Sequence, residues 1–165
     1  MSLKELPLED RYKMLLDQSI LSDAINYASH KELGAVNKYF ESYLKAQKRM
    51  LPSYMGTVFR VFKTITPGRA FKQVINQVLS IMQMHHELSQ IDVSWISNRE
   101  VSMGVKNCQK LQKTRELAKK ACLDINPVAL CAFEARFFRE IFKEFGIDMK
   151  VTLERDGCTS TATMR

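Results

Sequence analysis

The sequence predicts an α+β fold in which N-terminal helices precede a ββααββ unit, with an antiparallel sheet packed on helices. Three observations carry that expectation. Apolar residues recur at three- and four-residue steps as far as His85, and from Ile91 the period becomes two. A helical period returns between Leu111 and Phe145 before a closing alternation. In bulk, 165 residues with 45% hydrophobic and 26% charged side chains suit one buried core. A single domain over 1–165 follows, with a helical layer over 1–90 and a cysteine-containing α+β half over 91–165.

The first helix is expected over residues 8–28, where Leu8, Tyr12, Leu15, Leu16, Ile20, Leu21, Ala24, Ile25 and Ala28 share one face. Ser29-His30-Lys31-Glu32 places a cap oxygen three residues before a glutamate, the pattern of a capping box that restarts a helix. The new stripe is Leu33, Val36, Phe40, Tyr43 and Leu44, with Lys45, Lys48 and Arg49 at its C-terminal end, where the dipole favours cations. Pro52-Ser53 opens a short third helix with Val58, Val61, Phe62 and Ile65 inward. Thr66-Pro67 then starts the cleanest helix, whose face runs Phe71, Val74, Ile75, Val78, Leu79, Met82 and His85.

Ile91, Val93 and Trp95, followed by Val101, Met103 and Val105, alternate with polar residues around the turn Ser97-Asn98-Arg99, which predicts a β-hairpin. Leu111, Arg115, Ala118 and Cys122 restore helical spacing. Asn126-Pro127 caps a further helix carrying Leu130, Cys131, Glu134, Phe138, Ile141, Phe142 and Phe145, and Gly146 ends it. Met149, Val151 and Leu153 alternate, Asp156-Gly157 supplies a hairpin turn, and Thr159 to Met164 is the last strand.

Apolar runs are far shorter than the ~20 residues that span a bilayer, and the first residues have no signal-peptide core, so a cytoplasmic protein with no membrane partner is expected. The four cysteines form no Cys-x-x-Cys pair, which excludes a zinc knuckle or thioredoxin-type motif and points to reduced thiols. A net charge of +7 attracts anions, and Lys106, Lys110, Lys113, Arg115, Lys119 and Lys120 crowd one region. No base-stacking aromatics interleave with them, so a solvated face is expected and nucleic acid is not the expected partner.

The candidate chemistry lies between Cys108 and Cys158. Cys131 and Glu134, three apart on a helix, project from neighbouring positions, so a carboxylate could deprotonate or orient a thiol; the bland alternative is a buried cysteine and a glutamate paired with Arg136 or Arg139. Glu134 interrupts an apolar stripe, where a carboxylate needs a partner. Arg115 lies on its own helix's inner stripe and suits bidentate binding of a carboxylate. Cys108 and Cys122 bracket a helix of about 20 Å and cannot share one metal, whereas Cys108 could meet Cys158 across the sheet with Cys131 joining them. Zinc is thus an open cofactor option, although it needs four tetrahedral ligands and no metal ligand is assigned. The adjacent His85 and His86 point about 100° apart and cannot chelate one ion.

From Val101 onward the chain resembles a cytosolic bacterial family related to the aminothiazoline-carboxylate hydrolases and, more remotely, the vinyl reductase-like domains. The resemblance rests on Asn107-Cys108-Gln109 with Gln112 and Arg115, on Cys122, on Glu134 with Phe138, and on the closing Val151 to Gly157. It departs from the family pattern at Thr161, where those families carry a further cysteine. What the resemblance implies is an α+β fold whose cysteines line a pocket for a small molecule or metal, and hydrolysis of a ring carbon–nitrogen bond in a small carboxylate.

Together these readings predict a small-molecule-binding domain, with hydrolysis of such a carboxylate as the implied reaction. The pocket is expected between the sheet and the Cys131 helix, with Cys131 and Glu134 catalytic and Arg115, Cys108, Gln112 and Phe138 contacting substrate. The alternatives are a metal- or cofactor-binding sensor and a structural or interaction protein; a homodimer is left open.

Overall fold

The alternation that begins at Ile91 becomes a four-stranded antiparallel sheet, and its pleat decides which residues meet the helices. The computed structural model describes residues 7–50 and 64–165. Helices α1 (Leu8–Glu32), α2 (Val36–Met50) and α3 (Pro67–Gln83) come first, then a 3-10 turn (Leu88–Gln90) and strands β1 (Ile91–Ser97) and β2 (Glu100–Val105). Helices α4 (Gln109–Lys120) and α5 (Pro127–Glu144) follow, then β3 (Ile147–Leu153) and β4 (Cys158–Met164). This is the expected α+β order. The helix expected after Pro52-Ser53 falls on residues 51–63, outside the described ones.

The strands lie in the order β1-β2-β4-β3. Register aligns Val93, Met103, Ser160 and Val151 in one row and Trp95, Val101, Ala162 and Met149 in the next. One face is therefore almost wholly apolar, while Asp92, Ser94, Ser102, Thr159, Thr161 and Lys150 occupy the other. Helices α3 and α5 cover the apolar face over β2, β4 and β3, while Val93 and Trp95 of β1 stay exposed. Phe71 and Ile75 of α3 and Phe142 of α5 join Val101, Met103, Ile147, Ala162 and Met164 in the core. Each of the larger of these side chains contributes about 1.5–3 kcal/mol by leaving water, and the Ala162 methyl less. Buried Ser160 directs its hydroxyl to the Met103 carbonyl, which meets the need of a polar group in that layer.

Helix α5 has a second face. Leu130, Phe133, Glu134 and Phe137 turn away from the sheet toward a layer formed by α1, α2 and α4. The Cys131–Glu134 helix is thus a middle layer, with the sheet on one side and helices on the other.

Three local expectations change. Helix α1 runs through Ser29–Glu32 without a break, so no capping box forms there. The chain turns instead at Gly34, φ 61°, where Ala35 N–H reaches His30 O at 2.8 Å and Gly34 N–H reaches Lys31 O at 3.0 Å. This is a Schellman ending, and a residue without Cβ takes it freely. The buried stripe of α1 is also shorter than expected, comprising Ile20, Ala24 and Ala28, with Leu8 and Leu15 exposed. At the β3–β4 turn, Gly157 is required for a different reason from the one its Asp-Gly pattern suggests. Its φ is not positive; a Cβ there would lie 2.1 Å from the Val105 carbonyl oxygen.

Helix α4 ends in the same Schellman pattern, with Leu123 N–H to Ala118 O at 2.9 Å and Cys122 N–H to Lys119 O at 3.3 Å. Its left-handed residue is Cys122, at φ 53°, a conformation that is strained for a side chain bearing Cβ. Cys122→Gly is accordingly expected to stabilise the fold by about 1 kcal/mol. Gly157→Ala is expected to destabilise it by more than about 2 kcal/mol through the backbone clash. Urea midpoints of the two variants check both signs; a Cys122→Gly protein less stable than the parent would show that the cysteine side chain contributes more than the strain costs.

Candidate functional site

The site is built where α4 and α5 meet. Cys108 caps α4, its Sγ accepting the Leu111 N–H at 3.3 Å, and Asn126 caps α5 through the Val128 N–H at 3.0 Å, with Pro127 in the first turn. These caps fix the register of Lys110 against Glu134. Lys110 lies in the first turn of α4, where the helix dipole disfavours a cation, so its ammonium needs a compensating charge. Glu134 provides it with both oxygens, at 2.7 and 2.8 Å. The pair is largely interior, the side chains being 17% and 27% exposed. Burial alone would lower the Lys110 pKa; Glu134, with help from Asp23 and Cys131, outweighs it and raises it.

Glu134 therefore pairs with Lys110 and not with Arg136 or Arg139. Arg136 reaches Asn37 and Glu41 on α2 and lays its guanidinium 3.9 Å from the Phe40 ring centroid, while Arg139 lies beside Glu140. Lys110, read from sequence as part of a solvated basic face, is the member of that group drawn furthest inside.

Above the pair lies a cavity of about 150 Å³ between α1, α2, α4 and α5. Its polar base is Lys110 and Glu134, and Asp23, which is exposed, adds a carboxylate at its rim. Its walls are Tyr27 of α1, Tyr39 and Tyr43 of α2, and Leu130, Phe133, Phe137 and Phe138 of α5. The rings hold one another: Tyr39 stacks on Phe133 at 5.5 Å, Tyr27 meets Phe133 edge-on at 5.9 Å, and Tyr43 lies 5.1 Å from Phe137. Asp23 stands at the rim and makes no ion pair among the described residues. Desolvation raises its carboxyl pKa; Lys110 pulls it down and Glu134 pushes it further up. Desolvation also raises the Tyr39 phenol, assisted by Tyr43 and Asp23.

Lys110 also borders a second cavity of about 330 Å³, lined by Asp17, His85, Gln109, Gln112, Lys113 and Glu116 among others. Burial lowers the His85 pKa, and burial with the neighbouring His85 and Lys110 takes His86 down to about 4. His86 is neutral at pH 7.

The structure divides the residues singled out in the sequence. Glu134 and Phe138 line the aromatic cavity, and Gln112 lines the second one. Cys131 lines neither of these two. Burial first, then Glu134 and Cys108, push its thiol up to about 12, with Cys158 a smaller influence. Burial raises the thiols of Cys108, Cys131 and Cys158, and Cys108 adds to the rise at the other two. Among the described residues, no three His, Cys, Asp or Glu side chains are grouped to hold a metal ion. Arg115 is engaged elsewhere: its guanidinium donates to Asp156 Oδ1 at 2.8 Å and to the Arg155 carbonyl, clamping α4 to the β3–β4 turn. Cys122 is exposed.

The cavity that forms does not lie between the sheet and α5. It lies on the helix's other side.

No family model, curated protein or solved structure matches the chain. The site is therefore argued from its own geometry. Sequence reasoning missed Asp23, Lys110, Tyr27, Tyr39, Tyr43, Phe133 and Phe137. One signal pointed toward them: a glutamate on an apolar stripe demands a cation, although the sequence does not say which one.

Thiol reactivity follows from these environments. With iodoacetamide at pH 8, Cys122 is expected to alkylate first and Cys131 last, at least tenfold more slowly while the protein is folded. Peptide mass spectrometry over a time course checks the order. Labelling of Cys131 as fast as Cys122 would mean that its thiol is neither buried nor held protonated.

Proposed function

We propose that the chain is a small-molecule-binding domain whose ligand occupies the aromatic-walled cavity between α1, α2, α4 and α5. One observation carries this reading: the Lys110–Glu134 pair and the Asp23 carboxylate converge, among aromatic rings, on one pocket that opens to solvent. Taking the Lys110–Glu134 charges out of water opposes folding, and a ligand seated over them gives that arrangement a use. Convergent polar groups within aromatic walls are the usual composition of ligand sites. At about 150 Å³ the space suits a small metabolite or the head of a larger one.

Hydrolysis of a small carbon–nitrogen-bonded carboxylate, which the family resemblance implies, would need a nucleophile or an activated water in this cavity. The protonated Cys131 outside its walls, Glu134 committed to Lys110, and Arg115 committed to the β3–β4 turn all favour binding over that chemistry.

A screen of small soluble fragments against the full chain tests the reading by thermal shift. At about ten times its dissociation constant, a ligand adds about 1.4 kcal/mol and raises Tm by about 3–6 °C. Phe137→Trp, which fills the cavity, is expected to remove the shift while circular dichroism shows the fold retained. No shift with any fragment, or an undiminished shift in folded Phe137→Trp, would overturn the proposal.

A further inference from the structure

Resting on that reading, we infer that the cavity's ligand carries an organic cation, a small ammonium head held by Asp23 at the rim and by the aromatic walls. The charge around the cavity is the first reason. It comes from two carboxylates, Asp23 and Glu134, and one ammonium, Lys110, which leaves one negative charge. Lys110 is bonded to both oxygens of Glu134, so its charge is satisfied locally. Asp23 holds the surplus, with no ion pair of its own among the described residues.

The walls are the second reason. Tyr27, Tyr43, Phe133 and Phe137 line the space, while Tyr39 is held between His30 and Phe133, and an aromatic ring's face is the negative side of its quadrupole. A cation gains from such rings, more as water is excluded. The same layer already uses this contact once, with Arg136 over Phe40. An anionic ligand would meet both the surplus carboxylate and the ring faces with the wrong sign. A neutral ligand would gain nothing from the Asp23 carboxylate at the rim.

The size is the third. The cavity has room for about five water molecules, enough for a trimethylammonium head or a primary amine with a short chain, and too little for a nucleotide. Desolvation already raises the Asp23 carboxyl pKa, and an incoming cation would reverse that shift by stabilising the ionised form.

Three probes of nearly equal shape and different charge separate the possibilities: choline, the neutral 3,3-dimethylbutan-1-ol and the anionic 3,3-dimethylbutanoate. Ligand-observed NMR and calorimetry on the full chain at pH 7 and low salt measure all three. Choline is expected to bind at least tenfold more tightly than the alcohol, and the carboxylate weakest. Asp23→Asn, folded by circular dichroism, should bring choline down to the affinity of the alcohol. Tyr43→Leu gives an independent check, weakening choline severalfold more than the alcohol. Alcohol or carboxylate binding as tightly as choline would overturn the cation assignment and leave the cavity reading standing. No binding by any probe, when the fragment screen finds ligands, would also overturn the assignment; failure of probes and fragments together would overturn the cavity reading itself.

Discussion

The ion pair between Lys110 and Glu134 is the constraint on which the helical half depends, because each partner is placed where it would be unfavourable alone. Lys110 sits at the positive end of α4, and Glu134 interrupts the apolar surface of α5. At 2.7 Å and mostly out of water, the pair recovers in mutual attraction what each loses in solvation. Such a pair adds little net stability compared with apolar packing, but removing either partner leaves a desolvated charge. The consequence is geometric: α4 and α5 are held in one register, and the rings of α5 are turned toward α1 and α2.

That register explains the unequal roles of the two residues first noticed together. Glu134 faces the helices, where it meets Lys110 and, at longer range, Asp23. Cys131, three residues earlier, lies outside the aromatic cavity, where burial first and the Glu134 carboxylate second make its thiolate costly. Burial and the carboxylate together keep the thiol protonated, which is the opposite of the activation that the spacing suggested.

The sheet was legible in the sequence because one apolar face repeats with period two in every strand. Val101, Met103 and Val105 are all buried, and Ala162 and Met164 continue the pattern on β4. The caps at Asn126 and Gly146 were legible for a similar reason, since each solves a local backbone problem. Ser29–Glu32 misled because a capping box is only an option for the chain. Gly34, two residues past Glu32, offered a left-handed turn that α1 reaches without breaking. The candidate site was half legible. Glu134 was conspicuous, but its partner lay 24 residues away on another helix, and nothing in local spacing distinguishes Lys110 from the exposed lysines around it. Asp23 and Tyr27 lie one turn apart on α1, and only the packing of three other helices gives that pair a meaning.

A double-mutant cycle on Lys110→Met and Glu134→Leu, followed by urea unfolding at low and high salt, addresses the central claim most directly. Each single variant should lose about 2–4 kcal/mol and the double variant much less than their sum, with a coupling of at least about 1 kcal/mol that persists at 1 M salt. Additive losses, or a coupling that vanishes with salt, would show that the two charges are solvated surface neighbours and that α4 and α5 are held together by something else.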